Sequence, residues 1–177
     1  MSSVGQIPPV VADLSSTLQI ASIRLLQSSC ELNGEAFVAG APEPTVDNLG
    51  MDIATSGGRV VLPQPFLMSK IGLTVRLLSN GRLVATLSGT WLVAYSAPSA
   101  EALSAITDDL AMSFNTLVAP RAVWPFAREF FASLCWRMML QPAILPGFNP
   151  AIVFPDFYQA GLDAAERHNA SLQAQKA

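Results

Sequence analysis

The fold of this chain is decided by residues 124–140, which read Trp124-Pro-Phe-Ala-Arg-Glu-Phe-Phe-Ala-Ser-Leu-Cys-Trp-Arg-Met-Met-Leu140. Pro125 is predicted at the first helical position, where a missing N–H costs nothing, and Pro142 is predicted to end the helix. Apolar side chains recur at helical spacing, and they are Ala127, Phe130, Phe131, Leu134, Cys135 and Met138. The polar stripe is confined to Glu129, Ser133 and Arg137. So apolar a helix must be covered on more than one side, which predicts a sheet on one face and a second subunit on the other.

The composition narrows the class of protein. Of the 177 residues, 51% are hydrophobic and only 13% are charged, which is about half the usual charged share. This imbalance indicates oligomerisation or a surface that binds apolar material. The net charge of −3 and the lack of a basic run argue against nucleic-acid binding.

The length predicts a single domain over residues 1–177, with flexible ends at 1–9 and 170–177. The first residues carry neither a basic region nor an apolar run, so no signal peptide is expected. No apolar run reaches the roughly 18 residues that a membrane-spanning helix needs. We therefore expect a cytoplasmic protein without a membrane segment.

The first half of the chain predicts strands. Leu49, Met51 and Ile53 alternate with polar or small residues, and residues 71–77 and 83–95 alternate in the same way. Residues 20–32 fit a strand or a helix, and we assign them to a strand. Ser56-Gly57-Gly58 is predicted to be part of an irregular connection.

Asn80-Gly81 predicts the turn of a hairpin. A two-residue turn would place the apolar residues of the two strands on opposite faces of the sheet. A three-residue loop from Ser79 to Gly81 pairs Leu77 with Leu83 and unites them on one face. The pattern therefore predicts a type I turn with Gly81 at a left-handed bulge position, and an opposite face that is small, polar and solvated.

The second half predicts helices. One is expected over 102–117, with Leu103, Ile106, Leu110 and Phe114 on one face, and a closing helix starts near Asp156. Strands followed by helices are typical of an α+β domain with an antiparallel sheet.

No catalytic constellation is present in the sequence. His168 is the only histidine and is expected at the surface, near the end of a polar tail. Cys30 and Cys135 have no zinc-binding pattern, and a buried thiol is the preferred interpretation of Cys135. Asp108 and Asp109 are adjacent on a helix and are expected in solvent. The sequence thus predicts no enzyme, no cofactor and no metal.

Trp124-Pro-Phe-Ala-Arg-Glu129 resembles the Phe-Pro-Tyr-Ala-Arg-Glu element of the SecB export chaperones and SecB-like proteins. The segment Ile144-Leu-Pro-Gly-Phe-Asn149 then stands where the family has Leu-Asn-Leu-Ala-Pro-Val-Asn-Phe. The order of strands and helices also matches, and the resemblance spans residues 18–165. It implies an α+β subunit whose four-stranded antiparallel sheet is packed on one face by C-terminal helices. The long helix would help to join subunits into a dimer of dimers.

The resemblance also implies a function without a reaction. SecB-like proteins hold non-native polypeptides unfolded for export, because exposed apolar stretches of a client lose water against apolar grooves. We assign client binding to six residues, Leu110, Phe114, Trp124, Phe126, Phe148 and Phe154. We assign the subunit interface to five, Phe130, Phe131, Leu134, Trp136 and Met138. Each of the six could instead belong to the core or to a subunit interface.

The expected partners are unfolded clients, either preproteins or an antitoxin, and further copies of the chain. SecB proteins dock a translocase motor through acidic residues on the outer sheet face. The matching positions here are Ser22, Leu26, Val84 and Thr86, none of them acidic, which argues against that docking. Three other functions stay open. They are a dedicated chaperone of a toxin–antitoxin system, an α+β domain that binds a small molecule in a polar-lined pocket, and a purely structural assembly subunit.

Overall fold

The sheet contains four antiparallel strands in the order β1-β4-β3-β2. The computed structural model describes residues 6–37, 44–61, 63–138, 140 and 145–175. The strands are β1 (Gln19–Leu32), β2 (Asn48–Val60), β3 (Phe66–Ser79) and β4 (Arg82–Ser96). Apart from one short helix before β1, the helices follow the sheet in the chain, and they pack on one of its faces. The predicted α+β architecture is therefore confirmed, as is the strand at 20–32.

The β3–β4 hairpin keeps the predicted apolar face but not the predicted turn. Asn80 has φ of 50° and Gly81 has φ of 76°, so these two residues form the turn and Ser79 pairs with Arg82. The type I turn with a three-residue loop is therefore wrong. Leu77 pairs with Ala85 and Leu78 with Leu83, which leaves Val84 as an extra residue in a bulge. The bulge shifts the register by one residue and brings both apolar sets to the helix-facing side.

The burial of Val84 corrects the prediction that the outer face of the sheet is solvated. The alternation placed Val84 on the outer face and in solvent, but its side chain is fully buried. The chain after β1 lies beside Val84, because the Asn33 N–H donates to the Val84 carbonyl, and a short 3₁₀ turn (Gly34–Ala36) follows.

Strand β2 continues through the glycines that predicted an irregular connection. Gly57 pairs with Ser69 and Gly58 with Met68, in an unbroken antiparallel ladder that ends at Val60. The ladder hydrogen bonds outweigh the entropic cost of two glycines in a strand.

Six α-helices complete the described chain. They are α1 (Pro9–Thr17), α2 (Ala100–Ser104), α3 (Asp108–Leu117), α4 (Ala119–Arg137), α5 (Pro150–Val153) and α6 (Pro155–Ala174). The helix predicted over 102–117 is interrupted, because Thr107 caps a new helix by accepting a hydrogen bond from the Leu110 N–H at 3.2 Å. Leu103, Ile106, Leu110 and Phe114 are nevertheless all buried, as their spacing predicted.

Helix α4 begins earlier than predicted, so the assignment of Pro125 to its first turn is wrong. Pro120 occupies the first turn and Pro125 lies inside the helix. An internal proline costs about 3 kcal/mol, because it removes one backbone hydrogen bond and crowds the preceding turn. Ala119, Val123 and Trp124, which precede Pro125 in the helix, are buried, and burial of their apolar surface opposes this cost. The predicted helix stop at Pro142 lies outside the described residues.

Helix α6 corrects the prediction for His168. The side chain is only 4% exposed, and its Nδ1 lies 2.8 Å from the Thr107 Oγ1 at the start of α3. The helix runs on through Ala174 and packs along α3, with Ala164, Ala165 and His168 on the buried side. The polar composition of this segment concealed a buried stripe spaced three and four residues apart.

Candidate functional site

A cleft of about 530 Å³ opens between the end of β2 and helices α3 and α6. Its walls are partly apolar, formed by Leu67, Ala111, Met112, Phe157 and Ala160. Polar groups enter it from Thr55, Arg59, Asp108, Asn115 and Thr116. Met112 is 45% exposed, and a flexible thioether at the mouth of a cleft adapts to side chains of different shapes.

Gly57 shapes the floor of the cleft. A Cβ atom at this position would lie 2.2 Å from the Asn115 Nδ2 and 2.7 Å from the Met68 carbonyl oxygen. Asn115 is itself only 6% exposed, and its Oδ1 accepts a hydrogen bond from the Ser69 hydroxyl. The glycine therefore allows a buried amide from α3 to approach β2, and the two elements meet at the base of the cleft.

An ion pair stands at the rim. Arg59 donates to the Ile106 carbonyl and to the Asp108 carboxylate, which ties β2 to the start of α3. The Asp108 side chain is 91% exposed, and an exposed pair of this kind contributes about 0–1 kcal/mol. Arg59 and Asp108 thus supply charge at the entrance but no catalytic arrangement. Among the described residues no group of histidine, cysteine and acidic side chains could hold a metal ion.

The cleft lies beside a free strand edge. β2 is the last strand of the sheet, and no further described strand pairs with its outer side. An extended polypeptide can form main-chain hydrogen bonds with such an edge while its side chains enter the neighbouring cleft. The site therefore suits a chain segment better than a compact solute.

A second apolar surface lies on β1 and the outer side of α4. The helices pack on β2, β3 and β4 and leave β1 largely exposed. Large apolar side chains are consequently in contact with solvent, and they are Ile20 (54% exposed), Leu25 (44%), Leu26 (52%), Leu32 (50%), Phe126 (51%) and Trp136 (70%). Several large apolar side chains exposed on β1 and α4 are typical of an interaction surface.

The residues assigned to client binding have different environments. Leu110, Phe114, Trp124 and Phe154 are buried, Phe148 is half-buried and Phe126 is exposed. Trp124 anchors the segment after α4, because its Nε1 donates to the Pro146 carbonyl at 3.0 Å and its ring lies 4.7 Å from that of Phe148. None of these residues lines the cleft. Their role in client binding stays a prediction.

The residues assigned to the subunit interface lie on two sides of α4. Phe131 is fully buried, its ring 5.9 Å from that of Trp91. Phe130, Leu134 and Met138 are half-buried, and Trp136 is the most exposed of the set. Helix α4 therefore has one side that packs on the sheet and another side that is open to solvent.

Sequence reasoning missed the cleft residues Arg59, Met112, Asn115 and Phe157. The available signal was Gly57-Gly58 inside an alternating strand, which often marks a close approach of another element. It pointed to β2 but could not name the facing helix, because α3 is about 50 residues further along the chain.

Comparison with known proteins identifies the architecture. The structure is similar to that of the SecB-like chaperone Rv1957 of Mycobacterium tuberculosis, solved in complex with a ChAD peptide from the Rv1956 HigA1 antitoxin. The TM-score is 0.61 at 20% sequence identity, over 78% of this chain and 95% of that one. This chain has the SecB-like fold.

The SecB-like fold was therefore recognisable from a hexapeptide and the order of elements. No protein-family model and no curated protein sequence matched the chain. Among the described residues of this chain, no helix combines the length and the apolar character needed to cross a bilayer.

Proposed function

We propose that this chain is a molecular chaperone that holds non-native polypeptides unfolded in the cytoplasm, for export or for a dedicated client, without catalysing a reaction. The observation that carries the proposal is the cleft of about 530 Å³ beside the free edge of β2, on a SecB-like fold. An unfolded client offers both of the things that this arrangement can bind, an extended backbone and apolar side chains.

A dedicated chaperone of a toxin–antitoxin system is the second candidate. The observation in its favour is that the similar SecB-like chaperone was solved with an antitoxin peptide. The outer sheet face also carries no acid at Ser22, Leu26, Val84 and Thr86, and Val84 is buried, which argues against docking of a translocase motor.

Self-association is part of the proposal. The exposed apolar side chains of β1 and of α4, Trp136 above all, are those that another copy would cover. We propose a homo-oligomer, a dimer of dimers, in which β1 and the open side of α4 form subunit contacts.

Suppression of aggregation tests the chaperone. A chemically denatured apolar protein is diluted into buffer with this chain at stoichiometric ratio, and light scattering is followed. We expect wild-type protection and its loss in Met112→Asp, since burying a methionine side chain is worth about 1.5–3 kcal/mol, or roughly tenfold in affinity and more. Leu172→Asp is the matched control, because it places the same charge on an exposed apolar position of α6 that does not line the cleft.

The outcomes separate the candidates. A wild-type protein that protects no client, yet retains a single polypeptide in a native pull-down, would favour the dedicated chaperone. Native mass spectrometry that shows a bound small molecule displaced by Met112→Asp would favour the third candidate, a small-molecule-binding α+β domain, whose polar groups would be Arg59 and Asn115. Equal protection by Met112→Asp and wild type would contradict the cleft as the client site.

A further inference from the structure

The floor of the cleft holds a buried amide with an unused hydrogen-bond donor. Asn115 on α3 is only 6% exposed, and it lines the cleft. Its Oδ1 accepts a hydrogen bond from the hydroxyl of Ser69, which is fully buried on β3. Its Nδ2 has no hydrogen-bond partner among the described residues. Because a buried donor without an acceptor is unfavourable, a ligand of the cleft that supplies an acceptor gains affinity there.

Ser69 and Gly57 together fix the direction of this amide. Gly57 pairs with Ser69 in the β2–β3 ladder, so both residues lie on the helix-facing side of the sheet. The hydrogen bond from Ser69 holds the oxygen end of the Asn115 amide. The nitrogen end then lies over Gly57, in the space that a Cβ atom at that position would take. Edge strand β2 therefore presents a hydrogen-bond donor at position 57 in place of a side chain.

The geometry of strand addition decides which part of a client meets this donor. A client strand that pairs with β2 turns every second side chain toward the cleft, at a repeat of about 7 Å. Its backbone carbonyls lie in the plane of the sheet and not toward α3. The acceptor that reaches Asn115 is therefore a side-chain oxygen. The next inward side chains of the client, two residues before and after, meet the apolar cleft walls of Leu67, Met112 and Phe157.

We propose that Asn115 is a specificity-determining residue of the cleft, and that its Nδ2 donates a hydrogen bond to the side-chain amide oxygen of an asparagine or glutamine in an extended client. An amide is preferred to a carboxylate because it enters the cleft without the cost of burying a charge. The selected pattern is an asparagine or glutamine with apolar residues two positions away on either side. This inference rests on the proposed chaperone function and adds a sequence preference to it.

A peptide-binding cycle tests the preference. Two peptides with blocked ends, Lys-Leu-Lys-Asn-Lys-Leu-Lys and Lys-Leu-Lys-Leu-Lys-Leu-Lys, are titrated into the full-length chain in a calorimeter. Lysine has no acceptor, so a peptide bound with its other face inward gains no such hydrogen bond. The ratio of the two Kd values should shift by roughly tenfold toward the leucine peptide in Ser69→Ala/Asn115→Leu, which removes the donor and the buried hydroxyl together. Asn48→Leu is the matched control and should keep the wild-type ratio, since Asn48 is exposed at the start of β2 and does not line the cleft.

The side-chain amide of Asn115 gives a second measurement that needs no variant. Its nitrogen–proton NMR signals should move when the asparagine peptide binds to the wild type, and should move less with the leucine peptide. This measurement decides the case if circular dichroism shows that the double variant is not folded. Peptides that bind with the same Kd ratio in both proteins, or that leave the Asn115 signals unmoved, would overturn the preference while the client cleft stands. Failure of both peptides to bind the wild type would overturn the client cleft at β2 and the preference with it.

Discussion

The two sides of α4 predict opposite outcomes for two aromatic substitutions. Phe131 is fully buried, with ring centroids 5.9 Å from Trp91 and 5.3 Å from Phe130, whereas Trp136 is 70% exposed. Truncating a buried phenylalanine to alanine costs about 3–5 kcal/mol, because transfer energy is lost and a cavity remains. An exposed substitution away from caps and networks usually changes stability by no more than about 0.5 kcal/mol. Phe131→Ala should therefore destabilise the subunit, and Trp136→Ala should not.

The expected loss of stability in Phe131→Ala is large enough to measure by thermal and urea unfolding. For a chain of this length, 1 kcal/mol shifts the thermal midpoint by about 2–4 °C, so Phe131→Ala should lower it by roughly 6–20 °C. Urea unfolding followed by far-ultraviolet circular dichroism gives the free energy independently. Both experiments are run at several protein concentrations, since self-association stabilises the folded chain by mass action. Sedimentation at the same concentrations should show that Trp136→Ala weakens the oligomer.

The result that would refute this reasoning is specific. A loss of less than about 1 kcal/mol in Phe131→Ala would mean that the sheet side of α4 is not the packed side. An oligomer of unchanged mass and concentration dependence in Trp136→Ala would contradict the proposed role of the open side. Equal destabilisation by both substitutions would remove the distinction between the two sides.

Two further substitutions test the packing around Gly57 and the burial of the Tyr95 hydroxyl. Gly57→Ala should destabilise the chain by about 1–3 kcal/mol in urea unfolding, because its Cβ would overlap the Asn115 amide, and a wild-type midpoint would contradict that packing. Burial raises the pKa of Tyr95, so the folded chain keeps this proton while an unfolded tyrosine loses it near pH 10. The free energy of unfolding should then fall as the pH rises above about 10, and Tyr95→Phe should reduce that slope. At neutral pH Tyr95→Phe should be neutral or stabilising, because the buried hydroxyl has no hydrogen-bond partner among the described residues.

The hairpin shows what the sequence could predict about the sheet. Alternation assigned the apolar side chains of β3 and β4 to one face, because burial on that face specifies the register. The turn could not be predicted from the same pattern, since two solutions satisfy it. One uses a three-residue loop, and the other uses the two-residue turn at Asn80-Gly81 with a bulge at Val84. The bulged solution leaves Val84 fully buried, beside residues 33–37 of a distant part of the chain, whose Asn33 N–H donates to the Val84 carbonyl.

The predictions for the start of α4 and for the exposure of His168 were wrong for the same physical reason. Local rules place a proline at a helix start and a polar segment at the surface. Tertiary packing overrides both, through the buried turn before Pro125 and through the contact of His168 with Thr107. The cleft could not be predicted from the sequence for a related reason. Its walls come from β2, α3 and α6, and no local pattern states which elements face each other.

The two edges of the sheet differ in a way that separates the proposed roles. β1 presents apolar side chains to solvent, whereas β2 ends in glycines and a charged rim beside the cleft. If clients bind at β2 and copies meet at β1 and α4, the two functions respond to different substitutions. Met112→Asp should lose client protection while the oligomer keeps its mass, and Trp136→Ala should weaken the oligomer while each subunit keeps its cleft. Loss of both properties in Met112→Asp would mean that one surface serves both, and the division between the edges would then be wrong.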